Sequence, residues 1–166
     1  MKPREFFPNM PDEVFEIWLA PLIEGKGWPF KTVEDDLQAT NWRYVLGIDF
    51  TLRQWIDCTW ELIDINLPQS KFTNGSISMA TAIVGNAAYG KLTDTANVEN
   101  TKERFQSCVS YIKEHGNIPT PIILTRINDG FSVMDGNHRL AAILFTVNPL
   151  DIVIKAWVAN INLTIV

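Results

Sequence analysis

The chain has 166 residues, a formal net charge of −5, and 46% hydrophobic and 20% charged residues. This length suits one domain with its own core, and the composition is ordinary for a globular protein. No apolar run reaches the ~20 residues that span a bilayer, and no signal-peptide pattern follows the first methionine. We therefore expect a cytoplasmic protein without a membrane partner. The negative charge argues against a basic face for nonspecific nucleic-acid binding.

Cysteines and histidines are too few for the commoner metal and disulfide patterns, since the chain has two of each. Cys58 and Cys108 belong to no Cys-x-x-Cys or Cys/His pattern and stand beside apolar helical positions, which predicts buried, reduced thiols. A zinc site of the usual ligand types is not expected from His115 and His138 alone. His115 precedes Gly116 and is interpreted as a residue of a helix C-terminus.

The first sixty residues carry five of the six tryptophans. Apolar residues after Pro11 have helical spacing, and a capping signal at 49–51 precedes a second helical face formed by Leu52, Trp55, Ile56 and Thr59. Aromatic residues at helical spacing usually face a core. We therefore expect residues 1–60 to form an aromatic-rich helical extension packed on the rest of the protein; a surface that binds a protein partner is the alternative.

Residues 61–166 predict the order strand, helix, helix, hairpin, helix, strand. The predicted elements are a strand over 60–67, a short helix of small residues within 73–90, a helix from about 105 to 112 capped by Gly116, a hairpin of strands 121–127 and 131–134 turning at 128–130, a helix over 140–145 and a strand over 152–158. This order indicates an α+β domain, with a small mixed β-sheet and flanking helices.

Most of the functional signal lies where an apolar strand breaks at Asp135-Gly136 and the chain restarts as a helix. The free N–H groups and dipole of a helix N-terminus favour an anion, and Gly136 allows a sharp turn and a close approach to a ligand. Arg139 offers a planar fork for phosphate or carboxylate oxygens. His138 can donate to phosphate or exchange protons near neutral pH, and Asn137 can donate and accept. Asp135 can cap N–H groups or hold a metal. The alternative is a plain capped Asp-Gly turn with a solvated His-Arg pair.

The run Asp-Gly-Asn-His-Arg-Leu-Ala-Ala at residues 135–142 resembles the signature of the ParB/sulfiredoxin-like superfamily. Gly136, Arg139 and Ala142 match the G-x-x-R-x-x-A box of ParB proteins. The first, second, fourth and fifth residues of the run match the Asp-Gly-x-His-Arg pattern of more distant members. The elements before the box also resemble those of the family: a helix that ends in glycine is followed by proline and then by a strand. The resemblance covers about residues 62–158.

The resemblance implies a nucleotide site, because in this superfamily the box binds the phosphates of ATP, CTP or ADP. Members use it for hydrolysis, for kinase chemistry on small molecules such as free serine, or for DNA cleavage. It implies that Gly136, Asn137, His138 and Arg139 bind the nucleotide, with His138 and Asp135 as catalytic residues and Asp135 as a ligand of Mg²⁺. Phosphoryl transfer mostly needs positioned positive charge and a metal ion.

Two departures from the family narrow this expectation. Asn137 stands where sulfiredoxins carry their reactive cysteine, so sulfinic-acid reduction is not expected. ParB partition proteins add a helix-turn-helix DNA reader, and only a few residues follow the last predicted strand here, so a role in chromosome partition is not expected.

A general base for the reaction would have to come from outside the box. The unranked candidates are Glu61, Asp64 and Glu99, and Ser70-Lys71 is interpreted as a solvated loop near the position of the family's first ligand-contacting loop.

Three functions follow from these features. The first is a nucleotide-binding enzyme of phosphoryl transfer or NTP hydrolysis, with the phosphates at 135–139. The second is a metal-dependent nuclease that acts on DNA at the same site, which the acidic charge balance disfavours. The third is a non-enzymatic interaction or regulatory protein that binds a partner through residues 1–60.

Overall fold

The computed structural model describes residues 2–26, 46–47, 49–66, 72–91, 100–128, 130–146 and 152–161. Their elements, in chain order, are a 3-10 turn at Pro3–Phe6, helix α1 (Asp12–Val14, Phe15–Leu19 and Ala20–Lys26), α2 (Leu52–Asp57), β1 (Thr59–Asn66), α3 (Asn74–Tyr89), α4 (Thr101–His115), β2 (Ile122–Ile127), β3 (Gly130–Asp135), α5 (Asn137–Thr146) and β4 (Val153–Asn160). None of the helices within these ranges is long and apolar enough to cross a membrane.

The strands form one four-stranded mixed sheet in the order β1-β4-β2-β3, with helices flanking it. β2 and β3 pair antiparallel, as the predicted hairpin requires. The α+β class and the predicted order of elements in the second part of the chain are confirmed. Asp129, in the predicted hairpin turn, lies outside the described residues.

The chain divides into two compact units, which are described separately. The first comprises Met1–Glu61 with Val158–Val166, and the second comprises Leu62–Trp157. The prediction that residues 1–60 pack as an extension on the remaining domain stays a prediction.

Tryptophans are part of the core of the first unit. Trp18 and Trp55 are 2% and 1% exposed, and their rings meet edge to face with centroids 5.1 Å apart. Trp60 stacks on Trp55 at 6.2 Å. The prediction that the aromatic residues face a core is confirmed for Trp18 and Trp55, while Trp28 and Trp42 lie outside the described residues.

Helix α1 contains a π-helical stretch at Phe15–Leu19. Pro21 follows within the same helix. Proline has no N–H to donate to the carbonyl four residues earlier, which is that of Ile17, and its ring crowds that carbonyl. A local widening of the helix relieves this conflict.

The second predicted helix is shorter than its apolar spacing indicates. Thr51 caps α2 as predicted, since its Oγ1 accepts from the N–H of Gln54 at 3.2 Å. The helix then ends at Asp57, and Thr59, predicted on its apolar face, instead begins β1. Cys58 has extended backbone angles, and the β-branched and aromatic residues after it favour a strand. Cys58 is buried, as predicted, and burial raises the pKa of its thiol to about 12.

In the second unit, α4 agrees with the prediction at its glycine cap, whereas α3 differs from the prediction in length. α4 ends at Gly116, which has φ +67° and donates its N–H to the carbonyl of Ile112 at 2.8 Å. α3 spans 16 residues, where a short helix was predicted. α4 and α5 pack together, and the rings of Phe105 and Phe145 meet at 5.4 Å.

Residues at the start of α3 cover the outer edge of β3. The N–H of Thr73 donates to the carbonyl of Phe131 at 2.8 Å, and the N–H of Val133 donates to Oγ of buried Ser76 at 2.9 Å. Side-chain and loop partners of this kind satisfy an edge strand that would otherwise present open N–H and carbonyl groups. They also hold β3 in position just before the Asp135-Gly136 break.

Replacing Ser76 with alanine removes the acceptor of the Val133 N–H. We expect Ser76→Ala to lower the free energy of unfolding by about 1–2 kcal/mol, because a donor that loses its partner pays a desolvation penalty. Ser78, exposed on the same helix, is the matched control, and Ser78→Ala should change stability by less than ~0.5 kcal/mol. Urea unfolding measures both, and equal effects would contradict the role of Ser76.

Candidate functional site

The strand that leads to the candidate site contains a β-bulge. Ile123 pairs with Asp135 and Leu124 pairs with Val133, so Met134 is an extra residue on β3. Adjacent residues of β2 point to opposite faces of the sheet, and Asp135 therefore lies on the face opposite to Val133. Bulges re-aim side chains and are common beside functional sites. Here the re-aimed side chain is a carboxylate at the strand–helix junction.

Gly136 connects β3 to α5 in a backbone conformation that favours glycine. Its φ is +104°, and a Cβ at this position would lie 2.9 Å from Nη2 of Arg139 and 3.1 Å from Cγ1 of Ile122. The Gly136 carbonyl accepts from the N–H of Leu140 at 2.9 Å and so opens the helix. From the sequence we expected a ligand to approach Gly136 closely, and the structure shows that the Arg139 guanidinium makes a close approach there.

Asp135 and Arg139 form an ion pair across the break. Nη2 of Arg139 donates to Oδ2 of Asp135 at 2.8 Å, and the two side chains are 15% and 29% exposed, respectively. Nε of Arg139 is buried and has no hydrogen-bond partner. The carboxylate of Asp135 thus orients the guanidinium of Arg139, while Nε of that guanidinium remains a buried donor without a partner.

His138 is neutral in the folded protein near pH 7. Burial, together with the charges of Arg104 and Arg139, lowers the pKa of its imidazole to about 4, although the charge of Asp135 acts in the opposite direction. Nε2 of His138 is buried without a hydrogen-bond partner. The sequence predicts proton exchange near neutral pH, but burial moves the pKa of His138 away from that range. A bound anion would raise this pKa.

Two residues of α4 interact electrostatically with the junction, although the sequence does not assign either of them to the site. Arg104 is exposed, and its charge acts on both His138 and Cys108. Cys108 is half-buried rather than buried as predicted. Burial raises the pKa of its thiol, whereas Arg139 and Arg104 act to lower it. Arg104 and Cys108 are four residues apart, so the sequence places them on one face of the helix. The relation of that face to the junction depends on the packing of α4 against α5 and is not visible in the sequence.

Other predicted residues lie elsewhere or outside the described ranges. Asp64 forms an exposed ion pair with Lys155 at 3.1 Å on β1, the sheet edge opposite to β3, so it is not brought to the junction. Glu61 also lies on β1, and His115 is the last residue of α4, as predicted. The predicted residues outside the described ranges are Ser70, Lys71 and Glu99.

No protein-family model, curated protein or solved structure matches this chain. The resemblance of residues 135–142 to the ParB/sulfiredoxin-like box stays a prediction. Over the ranges that the structure describes, no group of three or more His, Cys, Asp or Glu side chains is placed to hold a metal ion. The role of Asp135 as a Mg²⁺ ligand also stays a prediction.

Alanine at position 136 tests the packing of Arg139 on the backbone. We expect Gly136→Ala to lower the free energy of unfolding by about 2–3 kcal/mol, since the strain of the positive φ adds to displacement of the guanidinium. Gly116 is the matched control because its φ is +67° and no atom lies within 4 Å of its added Cβ. Gly116→Ala should cost only about 1 kcal/mol, and equal losses in urea unfolding would argue against the predicted steric conflict.

The lowered pKa of His138 predicts a pH dependence of stability. Between about pH 6.5 and 4 the unfolded state binds more protons at this residue than the folded state, so its contribution to stability is lost as pH falls through that window. We expect His138→Gln to flatten the decline in unfolding free energy over this window relative to the wild type. Urea unfolding at several pH values measures this, and identical profiles for the variant and the wild type would contradict the burial of His138.

Proposed function

We propose that residues 135–139 bind the phosphate groups of a nucleotide and that the protein is a phosphotransferase or NTP hydrolase. The observation that carries this proposal is the pair of buried nitrogens without partners, Nε of Arg139 and Nε2 of His138, on consecutive residues. Buried polar groups without partners are rare in folded proteins and call for an explanation. An oxygen-rich anion at the junction gives both nitrogens a partner.

The first turn of α5 supports the same ligand class. Leu140 donates its N–H to the Gly136 carbonyl, so the N–H groups of residues 137–139 belong to the open end of the helix. These groups carry the positive end of the helix dipole, which favours an anion. Backbone donors, the guanidinium and the imidazole thus lie within one turn of a helix that spans 10 residues.

A nucleotide at this junction would be bound as its Mg²⁺ complex. Phosphate beside Asp135 places negative charges close together, and a divalent cation offsets their repulsion. Mg²⁺ in such sites is usually held by one or two carboxylates together with phosphate oxygens and water. The partly exposed carboxylate of Asp135 fits that donor set, and the metal would neutralise charge on the transferred phosphoryl group. Arg139 would hold the phosphate oxygens, with Asp135 as the residue that orients it.

Calorimetric titration with ATP, ADP, CTP and GTP in the presence of Mg²⁺ tests the proposal. We expect one or more to bind, and Arg139→Gln to weaken that binding at least about tenfold because a charge-assisted contact is lost. Arg53→Gln is the matched control, since Arg53 pairs with Asp57 four residues away at 2.7 Å and both side chains are exposed. It should leave the affinity unchanged.

Absence of binding to folded wild-type protein, or equal affinity in the Arg139→Gln variant, would refute the nucleotide site. Metal-dependent cleavage of plasmid DNA and capture of a protein partner would then be the functions to test. If nucleotide binding depends on Arg139, a phosphate-release assay then distinguishes turnover of the nucleotide from binding alone.

A further inference from the structure

The arginine that is proposed to bind phosphate already holds an anionic group of this chain. Nη2 of Arg139 donates to Oδ2 of Asp135 at 2.8 Å. Carboxylate and phosphate oxygens accept from a guanidinium in the same way, and both are bound by the planar fork of its donors. The Asp135 carboxylate therefore occupies a donor that a phosphate would use, and it brings a negative charge to that place.

The backbone holds both partners in this arrangement. The β-bulge at Met134 sets the face of the sheet on which Asp135 lies, and the positive φ of Gly136 turns the chain directly into α5. The guanidinium lies against Gly136, since a Cβ there would be 2.9 Å from Nη2 and 3.1 Å from Nε of Arg139. The carboxylate is thus presented to the arginine by local backbone structure, before any ligand is bound.

Partial burial distinguishes this ion pair from another with the same spacing. The side chains of Arg139 and Asp135 are 15% and 29% exposed. Arg53 and Asp57 are also four residues apart and pair at 2.7 Å, but their side chains are 67% and 57% exposed. Charges that are partly shielded from water are screened less, so attraction between opposite charges and repulsion between like charges are both stronger. Asp135 consequently repels an approaching anion more strongly than an exposed carboxylate does.

We infer that Asp135 is a specificity-determining residue that competes with free anions for Arg139 and admits a phosphate group only when a cation accompanies it. This inference rests on the proposed function of residues 135–139. Chloride, carboxylates and metal-free phosphate meet the full charge of Asp135, whereas the Mg²⁺ complex of a nucleotide brings the cation that neutralises it. The ligand class is thereby narrowed to metal–phosphate complexes. A carboxylate that only orients Arg139 predicts the opposite sign, since its removal would weaken binding with and without metal.

Titration of pyrophosphate and ATP, each with EDTA and with Mg²⁺, tests the sign of this effect. Asp135→Asn keeps an oxygen that can accept from Nη2 of Arg139 and removes only the charge. We expect it to tighten metal-free binding about tenfold, because a like charge next to the ligand is lost, and to reduce the gain from Mg²⁺ by a similar factor. Asp57→Asn is the matched control, since it removes the same charge from an exposed pair with the same spacing. It should change each affinity by less than about twofold.

Asp135→Ser removes the charge with a different side chain and should act in the same direction, which keeps the test valid if Asp135→Asn does not fold. If Mg²⁺–ATP binding depends on Arg139 but loss of the Asp135 charge leaves metal-free binding as it is in Asp57→Asn, or weakens it, the inference is overturned and the junction stands. If neither the folded wild-type protein nor a folded Asp135 variant binds any probe, the proposed function fails and the inference falls with it.

Discussion

The turn at Gly136 is the constraint on which the junction depends. The chain passes from β3 to α5 within this one residue, at φ +104°, so Asp135 stays on the strand while Arg139 stands in the first turn of the helix. Only a residue without Cβ leaves room for the Arg139 guanidinium to fold back over the backbone. The 2.8 Å ion pair and the open helix end both follow from this geometry.

The core beside the junction offsets the cost of its unsatisfied groups. Each buried donor or acceptor without a partner costs about 1–3 kcal/mol. Directly after the box, α5 buries four consecutive apolar side chains: Leu140, Ala141, Ala142 and Ile143. Burying large aliphatic side chains such as Leu140 and Ile143 contributes ~1.5–3 kcal/mol each, and the two alanines permit close packing. The segment that holds the two unpartnered nitrogens is thus anchored by the residues that follow it. Local conflict that is supported by a consistent core is typical of functional sites.

The sequence predicts those elements whose signals are local. Apolar spacing and the cap at Gly116 place α4, and the Asp-Gly break correctly places the junction. The apolar period alone begins at 140 because Asn137 to Arg139 are polar and add nothing to it; the structure starts the helix three residues earlier, directly after the Asp-Gly break. The bulge at Met134 depends on strand pairing, and the approach of Arg104 depends on the packing of two helices. Neither is encoded in a local pattern.

In the proposed function, phosphate binding at this junction is coupled to proton binding through His138. Burial and two guanidinium groups keep the ring neutral without a ligand, so it has little electrostatic attraction for an anion at pH 7. A phosphate placed against the ring reverses the sign of the local charge and stabilises the protonated form. By linkage, an anion that raises the pKa of His138 must bind more tightly as that residue takes up a proton. The same ring would therefore connect the electrostatics of the junction to the charge of the proposed ligand.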